Sequence, residues 1–272
     1  MVVVARFTKT LALAFALSVV LTGCRSDWFS VLGAPDFLRR WQARNTFHFL
    51  TYEDRNLPLA ASGTYSFIVI TDTHISSGNA YGLERLAQVI DDDVKFVVVV
   101  GDITQTGSQA ALEKFLGIAR GFGVPVFPVI GNHDIYFGNW PVWERLIGST
   151  VYRVNIGEDA LLILDSANAF LGARQLDWLE NELRSTSGRV FVFSHVSKFN
   201  RRILNFDARE RARLVHMLSG RADAVFMGHT HRRHTTTVGG VYYVTLEDFR
   251  EHSVYLRVFV SRDNLHWRFG RI

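Results

Sequence analysis

The sequence predicts an α/β fold, and two features of the stretch from residue 65 onward predict it. Apolar runs of strand length alternate there with segments whose apolar residues recur every three or four positions, as on one face of a helix. One run, KFVVVV at 95–100, does not alternate between polar and apolar residues, which is typical of a strand buried on both faces. The length of 272 residues suits one large domain or two small ones.

The elements of the first half follow from these patterns. A helix at 82–93 would place Leu83, Leu86 and Ile90 on one face, and a helix at 108–123 would end at the glycines Gly121 and Gly123. The predicted strands of this half are 66–70, 95–100 and 125–130.

The second half repeats the alternation. A helix at 173–185 aligns Leu176, Leu179 and Leu183, and a helix at 207–220 has Asp207 as a suitable N-cap and Gly220 as a suitable stop. The predicted strands of this half are 160–165, 189–194, 223–227, 241–246 and 253–260.

The N-terminus has the layout of a secretory signal peptide. Arg6 and Lys9 precede an apolar run at 11–21 that is too short to span a bilayer of ~30 Å at ~1.5 Å per residue. The run ends at Leu21-Thr22-Gly23-Cys24, which resembles the bacterial lipobox; an ordinary signal peptide with a chance cysteine is the alternative. Cys24 is the sole cysteine, so no intramolecular disulfide can form.

The resulting domain prediction is a lipoprotein signal peptide at 1–23, an N-terminal tether or extension at 24–63 and a catalytic domain at 64–272. Aromatic residues and arginines mix in the extension. This composition suits a tether resting on lipid as well as a segment packed against the domain, and both interpretations stay open. The formal net charge of +4 is too small to indicate a nucleic-acid partner.

Polar clusters follow five of the predicted strands where each strand ends. They are Asp72 and His74, then Asp102, then Asn132 and His133, then His195, and then His229 and His231. In an open α/β sheet the crevice beyond the carboxyl ends of the strands binds ligands, so these side chains are expected to converge.

The residue types suit a metal site, because carboxylates and imidazoles are common ligands of divalent metals. In an extended segment, residues two apart lie on the same side, so Asp72 with His74 and His229 with His231 could each aim two ligands into one crevice. Each motif alone is weak, and His195 alone could be a core histidine.

The ordered set resembles the calcineurin-like metallophosphoesterase superfamily over about residues 65–250. The resemblance implies two mixed β-sheets packed face to face and flanked by helices, and two divalent metal ions such as Mn, Fe or Zn. It implies that Asp72, His74 and His231 ligate the first ion, that Asn132, His195 and His229 ligate the second, and that Asp102 bridges them. It also implies that His133 faces the substrate and protonates the leaving oxygen or stabilises the transition state.

The stretch at 101–107 departs from part of this superfamily. Protein Ser/Thr phosphatases have a second aspartate that pairs with the catalytic histidine, and an arginine that binds phosphate. Gln105 and Thr106 stand at these positions here, and a neutral amide would support an imidazolium less well than a carboxylate does. Purple acid phosphatases have a tyrosine ligand where Gln105 stands. The departures therefore favour the phosphodiesterase branch over both classes.

The sequence thus predicts a lipid-anchored hydrolase of phosphodiesters or phosphomonoesters in the cell envelope, at the outer membrane facing the periplasm in a Gram-negative cell. The partners expected are an anionic phosphate ester and the membrane, with no protein partner and no nucleic acid. A catalytically silent metal-binding lipoprotein and a nuclease are the alternatives. A basic loop could bind the substrate anion or be a solvated surface, and its residues are Lys198, Arg201, Arg202, Arg232 and Arg233.

Overall fold

The computed structural model describes residues 36–59, 63–196 and 208–272. In chain order the strands are β1 (Asn56–Leu57), β2 (Tyr65–Ile70), β3 (Val94–Val100), β4 (Val126–Val129), β5 (Tyr152–Ile156), β6 (Asp159–Leu164), β7 (Val190–Ser194), β8 (Ala224–Met227), β9 (His234–Val238), β10 (Val241–Thr245), β11 (Val254–Val260) and β12 (Leu265–Arg271). The α-helices are α1 (Asp36–Gln42), α2 (Gln109–Arg120), α3 (Trp140–Leu146), α4 (Gly172–Ser185), α5 (Ala208–Leu218) and α6 (Phe249–His252).

The described strands form two mixed sheets, as the resemblance implied. One sheet has the order β1-β5-β6-β7-β8-β10-β9 and the other the order β12-β11-β2-β3-β4. Strands β2, β3 and β4 run parallel to one another, and so do β6, β7 and β8. Their carboxyl ends lead to all the residues predicted to bind metal and to His133.

The two sheets bury a common aromatic and aliphatic core between them. The ring of Phe67 on β2 lies 5.4 Å from that of Phe191 on β7 and 6.0 Å from that of Phe226 on β8. All three side chains are fully buried, so each contributes about 1.5–3 kcal/mol of hydrophobic stabilisation. This core holds the carboxyl ends of β2, β7 and β8 at fixed separations.

Helices cover the outer face of each sheet. Leu112 and Phe115 of α2 pack on the five-stranded sheet together with Trp140 and Trp143 of α3. On the other side, leucines of α4 and α5 pack on the seven-stranded sheet. The periodicity of 173–185 predicted the buried face of α4 correctly, since Leu176, Leu179 and Leu183 are all buried.

Residues 36–59 pack against the domain. Arg40 on α1 is fully buried, and its Nε lies 2.6 Å from Oδ2 of Asp165 beyond β6. The two-residue strand β1 adds to β5 in parallel. The described part of the predicted extension is therefore a packed segment, whereas Cys24 and the signal peptide lie outside the described residues.

Two predicted helices differ from the structure. The prediction of an α-helix at 82–93 was wrong: a 3₁₀ helix covers only Leu83–Val89, because Ile90 turns to an extended conformation. The helix predicted at 207–220 covers Ala208–Leu218, and its proposed N-cap Asp207 lies outside the described residues. Among the described helices, none has the length and apolar content needed to cross a membrane.

Candidate metal centre

The side chains predicted to bind metal converge at the carboxyl ends of five strands, where the two sheets meet. Asp72 and His74 follow β2, Asp102 follows β3, and Asn132 follows β4. From the other sheet, His195 follows β7, and His229 and His231 follow β8. Aspartate and histidine atoms from these loops form three groups, and within each group the potential ligand atoms lie within 4.8 Å of one another.

The first group joins Asp72, His74 and His231. Nε2 of His231 lies 3.1 Å from Oδ1 of Asp72, and Nε2 of His74 lies 3.8 Å from the same oxygen. Asp72 and His74 are buried, whereas the side chain of His231 is 43% exposed. This group therefore lies on the solvent side of the crevice.

The second group joins Asp102, His195 and His229, and it lies deeper. Nδ1 of His195 forms a 2.8 Å hydrogen bond with the carbonyl oxygen of Val100, which leaves Nε2 3.2 Å from Oδ2 of Asp102. Asp102 also belongs to a third group with His74 and His133. It is the carboxylate common to the second and third groups, and this position suits a shared ligand.

The backbone explains how alternate residues reach one crevice. The prediction assumed extended segments, and this was wrong. Asp72, His74, Asp102, His229 and His231 all have positive φ, between 45° and 70°. Such values are uncommon for residues other than glycine and cost of order 1–3 kcal/mol each. Backbone strain of this size, at residues whose side chains converge, is typical of a functional site that the surrounding fold holds in place.

Two of the glycines before these ligands permit close approach. A Cβ at Gly131 would overlap the backbone nitrogen and Oδ1 of Asp102, and a Cβ at Gly228 would overlap Oγ1 of Thr71. Neither clash could be relieved without moving a predicted ligand or its neighbour. Glycine at these positions therefore permits the close backbone approach that the site needs.

The ionisation of the buried groups favours cation binding. Burial raises the pKa of Asp102, but the imidazoles of His195 and His133 outweigh it and hold the pKa well below its usual range. Burial likewise raises the pKa of Asp72, and His195 and His231 reverse the direction. Burial lowers the pKa of His195, yet Asp102 and Asp72 raise it to about 10. Both carboxylates are therefore ionised at neutral pH, which is the form that metals bind.

His133 stands at the edge of the crevice with a defined orientation. Its Nδ1 lies 2.9 Å from the backbone carbonyl oxygen of Gln105, and its Nε2 lies 3.9 Å from Oδ2 of Asp102. The side chain of Gln105 turns away and accepts a 3.1 Å hydrogen bond from Nη1 of Arg250. A main-chain oxygen, and not the side chain of residue 105, therefore partners the histidine.

The fold adds two buried carboxylates that the prediction missed. Asp134 accepts hydrogen bonds from the backbone nitrogens of Gly131, Ile103 and Thr104, and so joins the loops after β3 and β4. Its burial, with Asp102 nearby, raises its pKa to about 6. Its place in the sequence Gly131-Asn132-His133-Asp134 was the available signal.

Asp248 is the second missed carboxylate, and no local motif pointed to it. Its Oδ1 lies 3.9 Å from Nδ1 of His231 and 2.8 Å from Nδ1 of His252. Its Oδ2 caps α6 by accepting from the backbone nitrogen of Glu251. Asp248 therefore stands behind His231 and helps to orient it, as partner groups behind metal-binding histidines commonly do.

Comparison with known proteins agrees with this geometry. The Calcineurin-like phosphoesterase family matches residues 65–233, which span all seven predicted ligands. The chain belongs to the calcineurin-like phosphoesterase family. Members of this family use two divalent metal ions.

The chain is also similar to curated phosphodiesterases and to solved phosphatase structures. A probable cyclic nucleotide phosphodiesterase of Fibrobacter succinogenes is 29% identical over 148 residues, covering 46% of this chain and 54% of that protein. The 3',5'-cyclic adenosine monophosphate phosphodiesterase of Escherichia coli K12 is 29% identical over 151 residues, covering 49% and 55%. The chain thus spans about half the length of these relatives. A dimetal phosphatase from Danio rerio superposes with a TM-score of 0.64 at 16% identity, over 76% of this chain and 96% of that one, and so shares the fold.

The residues present fit two ions. The amide nitrogen of Asn132 donates a 3.0 Å hydrogen bond to the hydroxyl of Tyr136, which fixes the orientation of the amide. Its buried Oδ1 has no hydrogen-bond partner among the described residues. An acceptor oxygen left unpaired in a buried place is costly unless a cation or water meets it. The set of carboxylate, imidazole and amide donors suits Mn, Fe or Zn.

The basic loop is only partly described. Lys198, Arg201 and Arg202 lie outside the described residues, and Arg232 is exposed. Arg233 pairs with Glu247 at 2.7 Å and lies 3.8 Å above the ring of Phe269. This arginine is therefore engaged on the surface, which favours a structural role for it.

Proposed function

We propose that the chain hydrolyses phosphate esters, phosphodiesters first among them, at the centre around Asp102. The observation that carries this proposal is the convergence of three acid–imidazole groups, two of which share Asp102. Two divalent ions bound there would neutralise the phosphate oxygens and supply a hydroxide near neutral pH. Residues Asp72, His74 and His231 would hold the first ion, Asn132, His195 and His229 the second, and Asp102 both.

The protein groups have separate tasks in this proposal. Asp72 and Asp102 remain ionised and would hold the two cations, whose positive charge would attract the anionic substrate. His133 is the acid: its Nδ1–H donates to the Gln105 carbonyl oxygen, which leaves Nε2 facing the crevice, and the imidazolium form would pass the proton on Nε2 to the leaving oxygen. The pairing of His195 with the Val100 carbonyl oxygen aims its other nitrogen at the crevice.

Cyclic nucleotides are the first substrate class to examine. Both curated relatives described above are named as phosphodiesterases of cyclic nucleotides. Aromatic surface also stands beside His133: the Tyr136 ring lies 4.4 Å from the imidazole, and the next side chain, Phe137, is 73% exposed. Stacking of a nucleobase on such a ring contributes ~1–3 kcal/mol.

A turnover screen tests the function. The purified, metal-loaded protein would be assayed against cyclic nucleotides, phosphomonoesters and phospholipids, with Asp102→Asn as its inactive counterpart. We expect hydrolysis by the wild type only, and fewer than two metal ions per chain in Asp102→Asn, because the shared anionic ligand is lost. The exposed Asp91→Asn serves as a control. Two bound ions without turnover of any ester would instead support a silent metal-binding protein, and near-normal turnover by Asp102→Asn would defeat the proposed site.

We further propose that the protein is a lipoprotein of the cell envelope, anchored through Cys24. The support is the sequence alone: the sole cysteine follows Leu21, Thr22 and Gly23 at the end of a short apolar run. In a Gram-negative cell, Arg25 at the next position favours the outer membrane, facing the periplasm. Mass spectrometry of the membrane fraction tests this, and an acylated N-terminus at Cys24 is the expected result.

A further inference from the structure

A short segment after β10 borders the metal centre from a direction that the motifs did not indicate. The backbone nitrogen of Phe249 donates to the carbonyl oxygen of Thr71 at 2.9 Å, and that of Arg250 donates to the carbonyl oxygen of Asp72 at 3.3 Å. The start of α6 is therefore attached to the loop that carries the first two predicted ligands. The backbone of Arg250 is thus fixed next to Asp72, and its side chain extends from this point.

The guanidinium of Arg250 reaches the side of the crevice where His133 stands. Nη1 donates to Oε1 of Gln105, and the guanidinium carbon lies 5.0 Å from the centre of the Tyr81 ring. The backbone carbonyl oxygen of the same Gln105 holds Nδ1 of His133. A single residue thus separates the guanidinium from the imidazole proposed to meet the leaving oxygen.

Within the described part of the chain, the charge of Arg250 has no carboxylate partner within 4.0 Å, whereas Arg233 pairs with Glu247. Its one side-chain hydrogen bond to a described residue goes to a neutral amide, although a guanidinium offers five N–H donors. A half-buried cation with further N–H donors, beside a centre proposed to bind a phosphate ester, is suited to an anionic ligand. The loop at 101–107 itself contains no basic residue.

We propose that Arg250 binds a non-bridging oxygen of the substrate phosphate and positions it beside His133. This inference rests on the proposed phosphoesterase function and names a substrate-binding residue for it. Gln105 then acts as a positioning residue, because its side chain directs the guanidinium while its carbonyl oxygen directs the imidazole. Arginine suits this task, since its planar fork matches two oxygens of one phosphate.

Binding of inorganic phosphate to the metal-loaded full chain tests the inference without requiring turnover. A hydrogen bond between a guanidinium and phosphate contributes ~1.5–3 kcal/mol, so Arg250→Ala should raise the phosphate Kd about 10–100-fold by calorimetry. Gln105→Glu keeps the arginine but gives it a carboxylate partner, and should weaken phosphate binding in the same direction. Both variants should retain two metal ions by elemental analysis.

Arg145→Ala is the matched control. Nη2 of Arg145 donates to Oε1 of Gln109 at 2.8 Å, which is the same pair of groups on an exposed surface. Its removal should leave the phosphate Kd within about twofold of the wild type, since no phosphate contact is lost. A merely structural Arg250 would change the melting temperature and leave the phosphate Kd unchanged.

Three results would overturn the inference: a wild-type phosphate Kd in Arg250→Ala, loss of metal in that variant, or no phosphate binding by the wild type. Hydrolysis of bis(p-nitrophenyl) phosphate separates this failure from failure of the proposed function. Turnover with an unchanged KM in Arg250→Ala would defeat the inference and keep the function. Phosphate binding that depends on Arg250, in a chain that hydrolyses no ester, would support the inference and defeat the proposed function.

Discussion

His133 differs from the carboxylate of Asp102, which it faces, in its exposure. Its side chain is 24% exposed, whereas that of Asp102 is 3% exposed. Its Nδ1 is paired with a main-chain oxygen, so the residue needs no carboxylate partner to hold its orientation. This arrangement explains how position 105 can be glutamine in a chain that retains the histidine.

We predict that His133→Ala keeps both metal ions and loses most of the turnover. Proton donation to a leaving group contributes about 10²–10⁴-fold, and the loss should depend on the ester. Nitrophenolate departs without needing a proton, so turnover of a nitrophenyl ester should fall least. A ribose hydroxyl needs the proton to depart, so turnover of a ribose ester should fall most. Kinetic constants with both esters and a metal analysis check this.

Gln105→Ala and Gln105→Asp are the companion variants for His133. The main-chain oxygen of residue 105 contacts His133 whatever the side chain is. Neither variant should therefore shift the pH profile of kcat as far as a direct contact between a histidine and an aspartate side chain would. Metal loss in His133→Ala, or an equal fall for both esters, would show that the histidine supports the structure of the site rather than proton transfer.

His195 provides a test of the ionisation of the site. In the metal-free protein its pKa is about 10, so it carries a proton at pH 7, and a metal ligand must be neutral. We predict that metal uptake at pH 7 releases about one proton and that metal affinity rises with pH, by up to about tenfold per unit below pH 10. Calorimetry in two buffers of different protonation enthalpy measures the release. Metal affinity that stays constant between pH 6 and 9 would contradict the assignment of His195 as a ligand.

At the scale of elements, α1 is joined to the domain by a buried ion pair. Arg40 and Asp165 are almost fully buried, and Arg40 also contacts the side chain of Asn168. We predict that Arg40→Ala lowers the free energy of unfolding by about 3–5 kcal/mol, because it leaves a buried carboxylate without its partner. Arg213→Ala breaks an exposed pair with Asp177 and should cost at most about 1 kcal/mol. Chemical denaturation compares the two, and equal small losses would mean that α1 contributes little to the domain.

The elements that the sequence predicted well are those with a strong apolar pattern. Strands β2, β3 and β7 and helices α2 and α4 agree with the predictions to within one to three residues at each end. The prediction missed α1, because arginines and aromatic residues break its periodicity, and β1, because its two residues are too few to show a pattern. It also missed β9, whose sequence HTTTV at 234–238 has one apolar residue and forms an exposed edge strand. Edge strands are stabilised by pairing with a neighbour, which no local pattern reveals.

In the candidate site too, the sequence predicted the features that depend on neighbouring residues and missed those that depend on contacts between distant segments. Spacing and residue type were enough to select the loops after β2, β3, β4, β7 and β8. They could not reveal Asp248 or Arg250, which reach the site by the packing of α6 against the loop at 71–72. Nor could they reveal the left-handed backbone of the ligands, which depends on contacts between loops far apart in sequence.

At the scale of the whole molecule, the proposed anchor and the catalytic domain are connected by a short segment. Cys24 lies twelve residues before Asp36, where the described structure begins. A chain of that length spans at most about 40 Å, so an anchored domain would work within that distance of the membrane surface. Substrates released or presented at the membrane would then be the ones most accessible to it.

We predict that Cys24→Ser prevents lipidation and leaves an unprocessed or poorly sorted precursor. Each acyl methylene buried in a bilayer contributes about 0.8 kcal/mol, so a mature form without acyl chains should leave the membrane fraction on washing. Every predicted metal ligand lies after residue 63, and the washed variant should therefore keep the turnover of the wild type in detergent. Ser30→Ala, in the same segment, is the control and should change neither mass nor location. An identical mass and identical processing in Cys24→Ser and wild type would show that Leu21-Thr22-Gly23-Cys24 is not a lipidation site. The catalytic proposal would be untouched, because every residue to which it assigns a task lies after residue 63.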